Sequence, residues 1–452
     1  MPEVDLIVIG TGPGGEALAN RVASAGLEVV AVDKHLVGGE CPYYGCIPSK
    51  IMVRGADALA EARRAGELAG DVSLEPSWSP VARRVSEATA NWDDAVAVKR
   101  LEDAGAVVLH GVARLDGPRR VVVTLADGSD VAYTARRGVV LNPGTRPAEP
   151  PVDGLAGTPY WTNRDAVRAT AVPASLVVVG GGPIGCEMAQ LFARFGSRVT
   201  VLQHGARLLD RDEPEASALL EQVFVREGIR VLTGAELASV AYADGGFTLG
   251  LADGTRLTAE RLLVGAGRRP NLDGLGLESV GLDERSVAPD EHMRAGDGLW
   301  VIGDVAGHGA FTHLSMYQSA VAARDILGED GPTAEYHAVP HTTFTDPEVA
   351  GVGLTEAAAR ERGLDVRVGQ TDLSASSRGY THGPGSDGLV KVVEDAGTGV
   401  LVGACVVGPY GGEILSMLTL AVHARIPVAT LTSMIYAYPT FHRAVESALA
   451  DL

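Results

Sequence analysis

The apolar run Val4-Asp5-Leu6-Ile7-Val8-Ile9 leads straight into Gly10-x-Gly12-x-x-Gly15, and the same order returns at Ser175–Val179 followed by Gly180-x-Gly182-x-x-Gly185. Each fingerprint continues into a stretch of helical periodicity, Glu16 to Ala25 in the first copy and through Phe195 in the second. A second strand then follows, Leu27 to Val32 ending in Asp33, and Arg198 to Leu202. Such glycines let the backbone turn sharply and approach a pyrophosphate, whose charge is met by the helix N-terminus. A carboxylate about 20 residues on, here Asp33, is placed to bind a ribose hydroxyl. One GxGxxG is weak evidence, because glycine-rich turns occur throughout α/β proteins. Two copies with correct flanks constrain the chain to two dinucleotide sites, one for a flavin and one for a nicotinamide.

A length of 452 residues suggests about three domains. Glycine and proline punctuation marks boundaries near Asn142-Pro143-Gly144-Thr145-Arg146-Pro147 and near Gly265-Ala266-Gly267-Arg268-Arg269-Pro270-Asn271. Between them lies the second nucleotide unit. Beyond them, Leu299 to Asp304 reads as a strand that completes the first domain, before a long helix from Thr312 to Leu327. From about Tyr336 the texture changes to strands, such as Gly388 to Glu394 and Gly399 to Val407, and then to helices, which predicts a third, α+β domain. Glu75 to Pro80, containing Trp78, reads as a surface loop between two Ala/Arg-rich helices.

A net charge of -19 opposes approach to a phosphate backbone or an anionic membrane, so neither nucleic acid nor membrane is an expected partner. The first apolar stretch has no basic run before it and is too short for a signal-peptide core or a membrane span. A cytoplasmic protein is expected.

Two of only four cysteines, Cys41 and Cys46, stand five positions apart in Gly38-Gly39-Glu40-Cys41-Pro42-Tyr43-Tyr44-Gly45-Cys46-Ile47-Pro48-Ser49-Lys50. Closing so small a loop would add only about 2 kcal/mol by chain entropy, and a chain this long can bury a large core without a staple. In a reducing compartment a disulfide that cycles is more reasonable than one that persists. The pair therefore reads as a redox centre. Cys186 and Cys405 sit in apolar helix and strand contexts and read as buried packing residues. No metal site is expected.

With Cys41-x4-Cys46 between the first fingerprint and a helix, the chain resembles the class I pyridine nucleotide-disulfide oxidoreductases, the family of dihydrolipoamide dehydrogenase, glutathione reductase and mercuric reductase. The resemblance spans essentially the whole chain, through GxGxxG, GGxCxxxGCIPSK, the second GxGxxG, GxRRPN, the Gly303-Asp304 pair and the TDPEVAGVG stretch from Thr345 to Gly353. It implies an α/β protein with two Rossmann-like dinucleotide-binding domains plus a C-terminal α+β dimerisation domain. The expected division is FAD-binding over 1–146, NAD(P)-binding over 147–268, completion of the FAD domain over 269–335, and an interface domain over 336–452. A homodimer, with each active site completed by the partner subunit, is implied by the same resemblance.

By matching positions, Cys41 would be the interchange thiol that meets the acceptor and Cys46 the charge-transfer thiol beside the flavin. A cysteine near a helix start and close to a cation is expected to have a depressed pKa, and its thiolate is the reactive form. Lys50, one turn beyond Cys46, would lie near the flavin and stabilise negative charge on the reduced ring, with Glu187 as its ion-pair partner. Asp33 and Asp304 would bind FAD hydroxyls, with Gly10, Gly12 and Gly15 at the pyrophosphate and Gly144 and Gly303 in the same cofactor site. Gly180, Gly182, Gly185, Gln203 and Gly267 would line the nicotinamide site.

Two positions depart from the family pattern. NAD-preferring relatives carry an acid where this chain has Gln203, which can hydrogen-bond either ribose, while Arg207 and Arg211 could supply charge to NADP. NADH and NADPH both remain open. At the C-terminus, disulfide reductases carry His-Pro-Thr followed by a glutamate that orients the histidine, whereas this chain reads Tyr438-Pro439-Thr440-Phe441-His442-Arg443. An imidazole with pKa near 6.5 exchanges protons at neutral pH, but a phenol near 10 stays protonated. Loss of a general base typically costs about 10²- to 10⁴-fold. His442, four residues on and on the same side of an expected helix, is the alternative base, although Arg443 argues against a stabilised imidazolium beside it. Neither a C-terminal Cys-Cys nor an N-terminal metal-binding or lipoyl module is evident.

The expectation is an enzyme that takes hydride from NAD(P)H onto FAD and passes electrons through Cys46 and Cys41, or directly, to a small-molecule acceptor such as a quinone or small disulfide. The alternatives are a dihydrolipoamide dehydrogenase or low-molecular-weight disulfide reductase, and a non-catalytic flavoprotein redox sensor.

Overall fold

The computed structural model describes residues 1–283 and 287–452, which fall into two compact units. The first comprises Met1–Ser49, Val85–Pro147 and Arg268–Tyr336, and the second Lys50–Arg84, Ala148–Gly267 and His337–Leu452.

In the first unit, Glu3–Ile9 lies between two parallel neighbours, Val29–Asp33 and Asp130–Leu141. Leu299–Val301 adds in parallel beside Asp130–Leu141, so the late strand completes the sheet that the first fingerprint begins. Side chains alternate across a strand, and the two faces of Glu3–Ile9 enter different cores. Leu6 and Val8 pack with Leu18 and Val22 of the Pro13–Ser24 helix and with Ala322 and Ile326. Ile7 and Ile9 pack with Val121, Val123 and Leu275. Both faces being covered explains why Leu6–Ile9 is continuously apolar.

Several boundaries move for local reasons. The first helix starts at Pro13, because a proline's fixed φ and missing donor suit the first helical position. Leu27 donates to Val22 O and so belongs to the helix end, leaving the strand to begin at Val29. The strand from Leu299 stops at Val301, and Gly303–Ala306 forms a 3₁₀ turn with Gly303 N–H donating to Gln318 Oε1 at 2.7 Å. Thr312–Leu327 is helical as expected.

In the second unit, Ser175–Val179 is flanked in parallel by Arg198–Leu202 and Arg261–Val264. Three antiparallel strands, Leu237–Ala243, Gly246–Leu251 and Arg256–Ala259, form a separate meander. A five-stranded antiparallel sheet follows, ordered Pro340–Thr343, Glu348–Gly353, Val400–Gly408, Leu389–Asp395, Val366–Asp372. Its core packs against Ile414, Leu418 and Val422 of the Gly411–His423 helix and Val445 and Leu449 of the last helix. Gly399 takes φ +69° in the turn, so the adjoining strand begins one residue later, at Val400.

Trp78, expected in a surface loop, is buried. Its Nε1–H donates to Ala169 O at 2.7 Å, and its ring meets Phe192 at 5.4 Å and Phe195 edge-on at 4.9 Å. Pro80 lies in the first turn of the Ser79–Ala88 helix. Cys186 and Cys405 are buried as expected. Among the described residues, no helix is long and apolar enough to cross a membrane and no His/Cys/Asp/Glu group could hold a metal ion.

Candidate functional site

The cysteine pair is set by a sharp loop. Gly38 N–H donates to Thr11 O at 2.8 Å, and a β-carbon on Gly39 (φ +68°) would stand 2.7 Å from Gly12 Cα. Only glycine gives both that backbone conformation and that approach. The loop therefore sits directly on the first fingerprint. Cys41 then lies in the short Glu40–Tyr43 helix, whose Glu40 carbonyl accepts from both Tyr44 and Gly45, and Cys46 opens the helix Cys46–Leu68.

Both sulfurs are thiols, and both feel one hydroxyl. Thr312 Oγ1, at the start of the Thr312–Leu327 helix, stands 3.3 Å from Cys46 Sγ. The expected depression of a cysteine pKa does not hold for Cys41, whose thiol is pushed well above its ordinary value. The hydrogen bond to Cys46 is the largest cause, and burial adds to it, while the Thr312 hydroxyl acts in the opposite sense. Two neighbouring sulfurs cannot both carry charge at low cost. Thr312 was not singled out from sequence, since its contact to Cys46 closes across 266 residues.

A polar chain runs from this loop. Glu40 pairs with Arg268 at 3.5 Å, Arg268 Nε donates to Thr145 Oγ1 at 2.6 Å, and Thr145 Oγ1 donates to Asp304 Oδ2 at 2.5 Å. Asp304 is thereby fixed at the end of the late strand. Asp33 accepts from Thr11 N and Oγ1 at 2.8 and 2.7 Å and from His35 N at 2.8 Å. Gly10 and Gly15 have no room for a β-carbon, against Asn142 O and Gly10 O respectively, whereas Gly144 faces open space. Gly12, Asp33 and the N-terminus of Pro13–Ser24 thus fit a dinucleotide, with a glycine turn, free first-turn amides and a carboxylate at the next strand end.

The second fingerprint repeats this geometry. Gly180 and Gly185 are closed to a β-carbon by Gly265 O and Gly180 O, while Gly182 and Gly267 face open space. Gln203 Oε1 accepts from Gly181 N at 2.9 Å. Arg207, expected to be available to a coenzyme phosphate, turns inward instead. Its guanidinium donates to Leu209 O at 3.1 Å, Asp210 O at 2.6 Å and Ser217 Oγ at 2.7 Å, because three loop acceptors lie within its reach.

Lys50 Nζ and Glu187 Oε2 form an ion pair at 2.6 Å. Glu187 is buried in the Pro183–Arg194 helix, its other oxygen accepts from Phe344 N at 2.9 Å, and Lys50 Nζ lies 4.6 Å from the Phe344 ring centroid. Phe344 is a second partner that sequence did not indicate.

Tyr438 and His442 do not share a helix. The last helix begins at His442, and Tyr438 precedes Pro439 in an irregular segment, since the residue before proline is driven out of the helical region. Tyr438 is 70% exposed. Arg443 pairs with Glu446 at 2.9 Å.

Two dinucleotide cradles with a dithiol seated on the first define a nucleotide-dependent redox enzyme. The family model described as pyridine nucleotide-disulphide oxidoreductase matches residues 4–325, and the dimerisation domain of the same family matches residues 339–449. The chain belongs to the pyridine nucleotide-disulphide oxidoreductase family, whose FAD and NAD(P)H dependence it shares. It is 35% identical to a dihydrolipoyl dehydrogenase of Thermus scotoductus, covering 100% of this chain and 98% of that protein. It is 34% identical to a mercuric reductase of Streptomyces lividans, covering 98% and 95%. LpdA from Mycobacterium tuberculosis superimposes with a TM-score of 0.87 at 28% identity, covering 99% of each chain.

Proposed function

We propose that the chain takes two electrons from NAD(P)H and delivers them, through Cys46 and Cys41 or directly, to a small acceptor that needs little base catalysis, a quinone or a small disulfide. The observation that carries this reading is a complete dithiol in a chain whose C-terminal segment, among the described residues, has no imidazole–carboxylate pair at the positions of Tyr438 and Arg443. Tyr438 is an exposed phenol, and Arg443, in place of the orienting acid, is committed to Glu446.

Bound FAD supplies the two-electron chemistry between the nicotinamide and the acceptor. Gly10, Gly12, Gly15, Gly144, Asp33, Gly303 and Asp304 hold it, and Gly180, Gly182, Gly185, Gln203 and Gly267 hold the coenzyme. The Thr312 hydroxyl, 3.3 Å from Cys46 Sγ, is placed to stabilise a thiolate of the pair, while the hydrogen bond to Cys46 and burial favour the proton on Cys41 until the acceptor arrives. The disulfide takes up two electrons and two protons to give two thiols. It re-forms when the acceptor gains the same, as a quinol or a pair of thiols. Lys50, near the start of the Cys46–Leu68 helix and oriented by Glu187, would supply a positive charge to the reduced flavin.

The matched dimerisation domain supports a homodimer, with 336–452 as the pairing region. A redox-cycling dithiol suits a compartment that keeps thiols reduced, and we place the chain in the cytoplasm. A second reading, dihydrolipoamide oxidation, is favoured by the 35% identity over the full chain. In that reading His442 or water removes the proton.

Anaerobic reductive titration of wild type and Cys41→Ser, followed by an acceptor panel, tests the proposal. Wild type is expected to store four electrons and Cys41→Ser two, with quinone or small-disulfide turnover exceeding dihydrolipoamide turnover. Storage of only two electrons by wild type, or vigorous NAD-linked dihydrolipoamide oxidation, overturns it.

A further inference from the structure

We propose that the second fingerprint selects NADH over NADPH, and that the Asp210 carboxylate is the group that turns the 2'-phosphate away. This rests on the reading that the second fingerprint holds the nicotinamide coenzyme.

The two fingerprints share one hydrogen bond at one spacing. In the first, Thr11 N donates to Asp33 Oδ2 at 2.8 Å, and in the second Gly181 N donates to Gln203 Oε1 at 2.9 Å, with the same separation of 22 residues. Gln203 therefore occupies the place of the ribose-binding acid, with one difference. Its oxygen is held by the glycine turn, which leaves Nε2 as the group presented outward, and an amide N–H donor serves a hydroxyl or a phosphate equally well. Gln203 by itself cannot discriminate between the two coenzymes, so the choice falls to its surroundings.

Charge beside Gln203 comes from the following loop, which is pinned in place. Leu209 N donates to Gly181 O at 2.8 Å, Gly234 N to Gly205 O at 2.9 Å, and Ala235 N to Gln203 O at 3.0 Å. A β-carbon at Gly205 would stand 2.9 Å from Gln203 Nε2 and 3.5 Å from Asp210 Oδ2. Amide and carboxylate thus flank one small opening at the end of the Arg198–Leu202 strand. Arg207, the cation closest in sequence, has both terminal nitrogens committed to Leu209 O, Asp210 O and Ser217 Oγ. His204 and Arg211 are exposed neighbours. A carboxylate at this corner can accept from a 2'-hydroxyl, whereas beside a 2'-phosphate it is a like charge. The acid that the strand end lacks is supplied seven residues later, from the loop.

The test uses the FAD-loaded enzyme and calorimetric binding of two probes that differ only in the phosphate, 5'-AMP and 2',5'-ADP, with NADH and NADPH turnover as a parallel readout. Wild type is expected to bind 5'-AMP about tenfold more tightly, and Asp210→Asn to narrow that ratio to about threefold or less by tightening 2',5'-ADP. Asp210→Ala, which removes the hydrogen-bonding group as well, is expected to narrow it equally. Tighter binding of 2',5'-ADP by wild type would show that Arg211 or His204 dominates and would overturn the proposal. So would a ratio that neither variant changes. If neither probe binds, the assignment of the second fingerprint to the coenzyme falls first and the proposal with it. Binding in the wrong order sinks the proposal alone.

Discussion

Glu187 holds Lys50 from a fixed position: its Oε2 stands 2.6 Å from Lys50 Nζ, while Oε1 accepts from the Phe344 amide at 2.9 Å. The acid is 5% exposed and the lysine 33%. The carboxylate is thus anchored at both oxygens and the ammonium at one partner plus the Phe344 ring.

Glu187→Gln keeps the bond from Phe344 and loses the charge opposite Lys50, and Glu187→Ala loses both. Breaking a partly buried pair while leaving a backbone donor unsatisfied costs about 2–3 kcal/mol, and the isosteric change about 1. Urea denaturation of the FAD-loaded protein should rank wild type above Glu187→Gln above Glu187→Ala. Stopped-flow reduction of the bound flavin by NADH should slow about tenfold in Glu187→Gln, because Lys50 is no longer oriented. Equal stability of the two variants would show that the Phe344 bond contributes nothing.

Thr312→Val preserves shape and removes the hydroxyl beside Cys46. Because that hydroxyl opposes the rise in the Cys41 pKa, its loss raises the pH at which the pair gives up a proton. Iodoacetamide alkylation of the NADH-reduced enzyme, followed against pH, should shift toward higher pH and slow about tenfold at neutral pH, the size of one hydrogen bond to a charged group. Thr312→Ser should restore the wild-type profile. A Val variant with an unshifted profile would remove Thr312 from the dithiol site.

Much of this site is legible in the sequence because it is local. Cys41 and Cys46 announce themselves by spacing, and Ser175–Val179 and Arg198–Leu202 are strands residue for residue as read, since β-branched runs buried on both faces lie between glycines. Thr312, Phe344 and Asp210 carry no such mark. Thr312 and Phe344 meet their partners across 266 and 157 residues, and Asp210 matters only because its loop folds back on Gly181. The strands Arg120–Leu125 and Leu237–Ala243 stand apart from both glycine fingerprints, and their antiparallel partners are set only by the folded chain. The last segment misled in the opposite way. A four-residue spacing suggested one helix face for Tyr438 and His442, and Pro439 overrides it.

Arg194 is nearly buried among three carboxylates, Asp57 at 2.8 Å and Glu227 and Asp346 at 2.7 Å each. Arg64 also pairs with Asp346 at 2.6 Å, yet Asp57 still sits largely out of water beside other carboxylates. Burial, with Asp346 adding repulsion against the opposing pull of Arg194, pushes the Asp57 carboxyl up to about 7 from an ordinary 3.8. Between those values the folded chain retains a proton that the unfolded chain has released, so stability is greatest below the lower value and declines as pH rises through the higher one. Asp57→Asn removes this titration. Its stability relative to wild type should grow from about pH 4 to about pH 7 and then level off, read as urea midpoints across that range. Exposure of the Asp57 side chain to solvent, 37%, keeps the change modest. A gap independent of pH would show that folding leaves the Asp57 carboxyl unshifted.

Tyr438 and His442 separate the two functional readings. Tyr438 is 70% exposed before Pro439, and His442 opens the last helix beside an arginine already paired with Glu446. If proton removal from a dithiol substrate limits turnover, restoring the acid-base pair with Tyr438→His and Arg443→Glu together should raise dihydrolipoamide oxidation by about 10²-fold or more. Quinone reduction, which needs no such base, should stay within about twofold. His442→Ala separates the alternatives from the other side, because a base at that position would make its removal cost about 10²-fold in dithiol oxidation. The expected outcome is turnover near wild type for His442→Ala and a gain for the double variant only toward the dithiol. Abolished activity in His442→Ala would transfer the proton to His442 and make dihydrolipoamide oxidation the better reading.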